Sequence, residues 1–102
     1  VVLTVPFATA GAILDEIKPA LTGKLLVDTT VPLMPPRVAR VQMPPEGSAA
    51  LAAQKRLGEG QRIVSAFHNV SAHKLMGDGA IECDVLVCGD KTEDRAIVVA
   101  LA

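Results

Sequence analysis

Leu25-Leu26-Val27-Asp28-Thr29-Thr30-Val31-Pro32 reads as a strand that opens on apolar residues and is closed by a proline, and its reading decides the fold. A continuous run of this length suits a strand buried on both faces. Proline cannot donate to a β-ladder, so Pro32 stops it. The chain opens on the same device, Val1-Val2-Leu3-Thr4-Val5-Pro6. Between these two strands, residues 9–18 predict a helix with Ile13, Leu14, Ile17 and Leu21 on or near one face. Pro19 ends or kinks that helix, and Thr22-Gly23 is a stop.

Downstream of Pro32 the pattern changes. Residues 32–47 hold five of the seven prolines (Pro32, Pro35, Pro36, Pro44 and Pro45) together with Arg37 and Arg40. This reads as a long, stiff loop with a short extended piece over residues 40–43, and such loops are more often functional than idle. Ser48 predicts the N-cap of a helix reaching Leu57, with Gly58 and Gly60 behind it. Residues 62–67 predict a third strand leading into His68-Asn69. Ser71 predicts a cap for a short turn over residues 72–76. Cys83-Asp84-Val85-Leu86-Val87-Cys88 predicts a fourth strand. Thr92 predicts the cap of a last helix, whose first turn carries Glu93 and Asp94, the right sign for the helix dipole. Strands alternating with helices imply an α/β fold, a Rossmann-like mostly parallel sheet with flanking helices.

Composition agrees with this reading. Half of the 102 residues are hydrophobic, 21% are charged and 2% are aromatic. The core must therefore be built from Val, Leu, Ile and Ala. A net charge of -1 gives no electrostatic reason to expect nucleic acid or an anionic membrane surface. No apolar run approaches the ~18 residues of a membrane span, and no signal peptide is evident. A cytoplasmic protein is the default expectation. The chain begins directly in a strand without Met and closes on the apolar run Ile97-Val98-Val99-Ala100-Leu101-Ala102. Residues 1–102 are therefore expected to be a partial Rossmann-type domain, truncated at both ends.

In parallel sheets, ligands bind beyond the carboxyl ends of strands. Two ends finishing in Val-Pro would give a rigid, dry wall for a flat ring; the simpler reading is that prolines merely end strands. His68 follows a strand directly and could hydrogen-bond a ring carbonyl or balance charge on a reduced cofactor, or be a surface or structural histidine. His73, beside Lys74, reads as solvated, and two histidines without a spaced carboxylate are a weak metal signal. Cys83 and Cys88, at the two ends of a strand, would lie on opposite faces some ~16 Å apart, so they read as two buried small apolar residues and not as a disulfide. Gly58 and Gly60, and Gly77 and Gly79, do not make the G-x-G-x-x-G fingerprint. Ser65 and His68 are near neighbours, but no acid is placed to complete a triad. Arg37 and Arg40 would bind a phosphate or carboxylate, or be solvated loop charges.

Val2-Leu3-Thr4-Val5-Pro6-Phe7, Leu26-Val27-Asp28-Thr29-Thr30-Val31-Pro32-Leu33, Gly47-Ser48-Ala49-Ala50, Val64-Ser65-Ala66-Phe67-His68-Asn69-Val70 and Cys83-Asp84-Val85-Leu86-Val87-Cys88-Gly89-Asp90 follow one another in order. The ordered set resembles the NADPH-dependent coenzyme F-420 reductases, over nearly all of the chain. The resemblance implies an oxidoreductase moving hydride between NADP and the deazaflavin coenzyme F-420, homodimeric at full length. The pyrophosphate loop and 2′-phosphate site would lie upstream and a helical portion downstream. Residues 1–102 alone are then expected to be inactive. It also implies that Val5, Pro6 and Thr9 line the NADP side, and that Ala72 offers backbone polar groups to the nicotinamide amide. Val31, Pro32 and His68 would face the deazaflavin, with His68 hydrogen-bonding near its ring; Arg37 and Arg40 inherit nothing. Two alternatives stand beside it: a related reductase with another acceptor, such as an imino acid or a ferric chelate, and a non-catalytic nucleotide-binding or interaction module.

Overall fold

The computed structural model describes residues 1–33 and 40–102. Three parallel strands, β1 (Val2–Leu3), β2 (Leu25–Asp28) and β3 (Arg62–Ser65), form one sheet in the order β1-β2-β3. β2 is central, pairing Leu3 with Asp28 on one side and Asp28 with Ser65 on the other. The helices are α1 (Phe7–Ile17), α2 (Ala49–Leu57), the single turn α3 (Ala72–Leu75) and α4 (Thr92–Leu101). A 3-10 turn, Lys18–Leu21, follows α1 and contains Pro19. The helix thus stops at Ile17, where proline's missing N–H and ring force a tighter turn.

Alternation along β2 divides the core. Leu26 packs with Leu3, Ala10, Leu14, Leu21, Ala53 and Leu57 beneath α1 and α2. Its neighbour Val27 faces the other way and packs with Val64, Ala66 and Val98 beneath α4. This is the period-2 pattern of a strand covered on both faces, and it makes the Rossmann-like layering of helices on either side of a parallel sheet.

Strand ends fall earlier than the apolar runs suggest. β2 stops at Asp28 because its carboxylate Oδ1 accepts the backbone N–H of Thr30 at 2.8 Å. Such an Asx turn offers the backbone an alternative to the ladder. Thr29 keeps the edge of β1 tied in, its hydroxyl donating to the Leu3 carbonyl at 2.7 Å. Leu33 and Val41 form an antiparallel bridge, and Gln42 N–H donates to the Pro32 carbonyl at 2.8 Å. The loop therefore folds back on itself across the residues either side of its undescribed middle, which contains Pro35, Pro36 and Arg37.

The expected fourth strand does not form. Among the described residues, 83–88 pair only through an antiparallel bridge between Cys88 and Ser65, with hydrogen bonds of 2.8 and 2.9 Å. The Asp84 carbonyl, which a strand would offer to a neighbour, is instead taken by the Asn69 side chain at 2.7 Å. Val85 and Val87 turn toward the Val98 cluster while both cysteines are exposed. The reading of Cys83 and Cys88 as buried is thereby corrected: without a strand partner, that segment lies along the surface and buries one face only. Both remain free thiols.

Helix caps follow the sequence at two of three positions. Ser48 Oγ accepts from Leu51 N–H at 3.1 Å and Ser71 Oγ from Lys74 N–H at 3.4 Å; a cap of the first kind contributes about 1 kcal/mol. Gly58 ends α2 at φ 96°, a conformation costly for residues with a Cβ. At α4 the N-cap is Lys91, without a side-chain cap, and Thr92 is the first helical residue. The expectation of a Thr92 cap is corrected, since its hydroxyl is bonded by the Arg95 guanidinium at 3.1 Å.

Candidate functional site

The in-register ends of the strands, Leu3, Asp28 and Ser65, place the segments that follow them along one edge of the sheet. A cleft of about 180 Å³ opens there between the end of β2, the start of α2 and the end of β3. Thr30, Val31, Pro32, Met43, Ala49 and Ala50 line it together with Ser48, Ser65 and His68, whose side chains supply polar groups. Pro32 is buried, which fixes the wall. Three of the residues expected to face a common ligand, Val31, Pro32 and His68, therefore do meet.

His68 reaches the cleft through an unusual backbone. Phe67 before it has φ 65°, the left-handed region that aromatic residues rarely adopt. The strain of order 1–3 kcal/mol is held by the Phe67 ring, which packs against the Val64, Ala66 and Val98 cluster. The Val70 N–H closes the turn on the Phe67 carbonyl at 3.3 Å. The turn brings His68 Nε2 to 3.0 Å from Ser65 Oγ. His68 is exposed, so its ring is available to a ligand.

A second cleft, of about 250 Å³, lies between α1 and α2 and shares Thr30 and Ala49 with the first. Asp28, 1% exposed, stands in its lining. Arg56 spans it from α2, donating from Nε and Nη2 to the two carboxylate oxygens of Asp15, each at 2.7 Å. That hydrogen-bonded guanidinium holds the Asp15 carboxyl below its ordinary pKa. The arm passes directly over Gly11, where an added Cβ would lie 2.7 Å from Arg56 Nη1. Nothing in the sequence pattern flagged this pair; the isolated glycine in an otherwise helical run was the one available sign.

The remaining expected residues lie elsewhere. Pro6 is the N-cap residue of α1, and its carbonyl accepts from Thr9 N–H, Thr9 Oγ1 and Ala10 N–H at 3.0–3.1 Å. Val5 packs half-buried against the Leu26 side of the core. Ala72 is exposed at the start of α3. Neither cleft is lined by Val5, Pro6, Thr9 or Ala72. The matched prolines thus do not share one wall: Pro32 lines the His68 cleft, whereas Pro6 serves the start of a helix. Arg40 is exposed and lines neither cleft, and Arg37 lies outside the described residues. Among the described residues no group of three or more His, Cys, Asp or Glu side chains is placed to hold a metal ion, and no helix is long and apolar enough to cross a membrane.

No protein-family model matches the chain. Individual relatives do. The chain is 36% identical over 107 aligned positions to the F-420-dependent NADP reductase of Methanocaldococcus jannaschii, covering 100% of this chain and 47% of that protein. It is 35% identical to the enzyme of the same name from Methanothermobacter marburgensis, covering 99% of this chain and 47% of the relative. The chain spans about half the length of the curated relatives it matches. Its fold superposes on a crystal structure from Arthrobacter sp. FB24, provisionally assigned as an F-420-dependent NADP-reductase. That superposition has a TM-score of 0.79 at 23% identity and covers 98% of this chain and 47% of the other. By sequence, the chain is a relative of the F-420-dependent NADP reductases along its whole length.

Proposed function

We propose, from this kinship, that the protein to which the chain belongs transfers hydride between NADP(H) and coenzyme F-420, and that the His68 cleft receives the deazaflavin ring. One observation carries the reading: the adjacent Val31 and Pro32 line one cleft at the carboxyl edge of the sheet with His68, which is distant in sequence. The cleft fits the edge of a flat heteroaromatic ring, its lining being largely apolar with a few hydrogen-bonding groups.

When bound, the two cofactors supply the redox chemistry themselves. The chain supplies shape and polarity. Val31, Pro32, Met43, Ala49 and Ala50 exclude water from one face of the ring, and burial of Pro32 keeps that wall rigid. His68 donates a hydrogen bond near the ring. Val5, Pro6, Thr9 and Ala72 are proposed for the NADP side; their position outside the His68 cleft is compatible with a separate dinucleotide site beside it. No residue acts as a nucleophile. A cytoplasmic homodimer is part of the same reading, and Ile97, Val99 and Leu101, exposed on α4, are apolar surface that the whole protein would cover.

Deuteride transfer tests the proposal. The full-length protein is given NADPH labelled at nicotinamide C4, each stereoisomer in turn, with oxidised coenzyme F-420. One isomer is expected to deliver its deuterium to deazaflavin C5 without loss to water. NADPH oxidation with another acceptor, or none with the deazaflavin, would reject it.

A further inference from the structure

We infer that Ser65 is the positioning residue for His68, and that its hydroxyl donates to Nε2 so that Nδ1–H is the nitrogen presented to the ligand. The inference rests on the proposed deazaflavin site. Its starting point is the 3.0 Å separation of Ser65 Oγ and His68 Nε2. Ser65 is the last residue of β3, and its backbone N–H and carbonyl are both bonded to Cys88, at 2.8 and 2.9 Å. Its Cα is also in register with Asp28 of the central strand. The hydroxyl therefore projects from a fully tied backbone and is a fixed point.

His68 has no comparable support. It is exposed, lies beyond the strand, and follows the left-handed residue Phe67. That turn reverses the chain and carries the imidazole back over the strand end it has just left. Ser65 thus anchors the one nitrogen within reach, and both residues line the same cleft. A neutral imidazole has one donor and one acceptor nitrogen, and the bond made by one sets the role of the other. With Nε2 accepting from Ser65, Nδ1 carries the proton and can donate to a carbonyl on the ligand. The usual triad logic, in which an acid orients the base, is replaced by a serine orienting a donor.

The test uses the full-length protein with Ser65→Ala, Ser65→Thr, His68→Ala and the double variant Ser65→Ala/His68→Ala. Loss of one neutral hydrogen bond is expected to raise KM for coenzyme F-420 roughly 3–10-fold in Ser65→Ala. KM for NADPH should stay unchanged, and Ser65→Thr should restore the first value. In the His68→Ala background, Ser65→Ala should add nothing further. Nitrogen-15 chemical shifts of the His68 ring in the wild type should show a single tautomer protonated at Nδ1. Averaged tautomers, or a Ser65→Ala effect that persists without His68, would overturn the positioning role. If His68→Ala weakens the deazaflavin alone while Ser65→Ala does nothing, this inference fails and the deazaflavin site stands. If His68→Ala also leaves KM for coenzyme F-420 unmoved, the site assignment itself fails.

Discussion

The guanidinium of Arg62, at the start of β3, donates through both Nε and Nη2 to a single oxygen of Asp94, in the first turn of α4. The Asp94 carboxylate is nearly all buried, while about a third of the Arg62 side chain meets solvent. This pair fixes the helix on one face of the sheet to the strand that leads to Ser65 and His68. It also places an acid at a helix N-terminus, where the dipole favours it. Arg62 holds the Asp94 carboxyl below its ordinary pKa, the hydrogen bonds being the main cause.

A depressed carboxylate pKa has a definite sign in stability. The folded state binds the proton less readily than the unfolded state, so the contribution is complete above the unfolded value of about 4. It is lost as pH falls below that, through the lower folded value. Urea midpoints of wild type and Asp94→Asn, measured at pH 7 and pH 3, should differ clearly at pH 7 and by less at pH 3. Equal differences at both pH values would show that the pair does not act through charge.

The Arg56 arm over Gly11 makes an interaction between two substitutions. Alanine in a helix interior is favoured over glycine by about 1 kcal/mol. In an Arg56→Ala background, Gly11→Ala should therefore stabilise by about 0.5–1 kcal/mol. With Arg56 present the gain should be smaller, because the new Cβ would meet Arg56 Nη1 at 2.7 Å. Chemical denaturation of the four variants measures the coupling; strict additivity would mean the arm moves aside freely.

Leu26 and Leu86 separate true core from apparent core. Both stand in apolar runs that read as strands, but Leu26 is 0% exposed and Leu86 75% exposed. Leu26→Ala should cost about 2–5 kcal/mol, whereas Leu86→Ala should stay within about 0.5 kcal/mol. A large loss at Leu86 would mean that residues 83–88 are covered in the whole protein.

These cases show which parts of the structure the sequence announces. Apolar periodicity specified the β-α-β order, the parallel sheet and its flanking helices, since burial acts on every residue of an element, and the capping chemistry of serine announced Ser48 and Ser71. Strand ends were less legible, because one side chain decides them: Asp28 turning back on Thr30 shortens β2, and Asn69 taking the Asp84 carbonyl helps to keep residues 83–88 out of the sheet. The His68 cleft was legible in part. Val31, Pro32 and His68 each follow a strand, so topology alone brings them to one edge. Ser65, Ser48 and Met43 also line the cleft, and no periodicity distinguishes them. The Phe67 turn that aims His68 depends on a single left-handed backbone residue, which a phenylalanine does not advertise.

The most direct measurement fills the His68 cleft and leaves its polar groups intact. Ala50, half-buried in the first turn of α2, lines the same cleft as Pro32 and His68. Binding of coenzyme F-420 to the full-length Ala50→Trp variant, followed by deazaflavin fluorescence and set beside NADPH binding to the same protein, reports whether the ring belongs there. Loss of deazaflavin binding by at least ~10-fold with NADPH affinity unchanged is the expected result, about 1.4 kcal/mol or more. Undiminished deazaflavin binding to a folded variant would contradict the assignment.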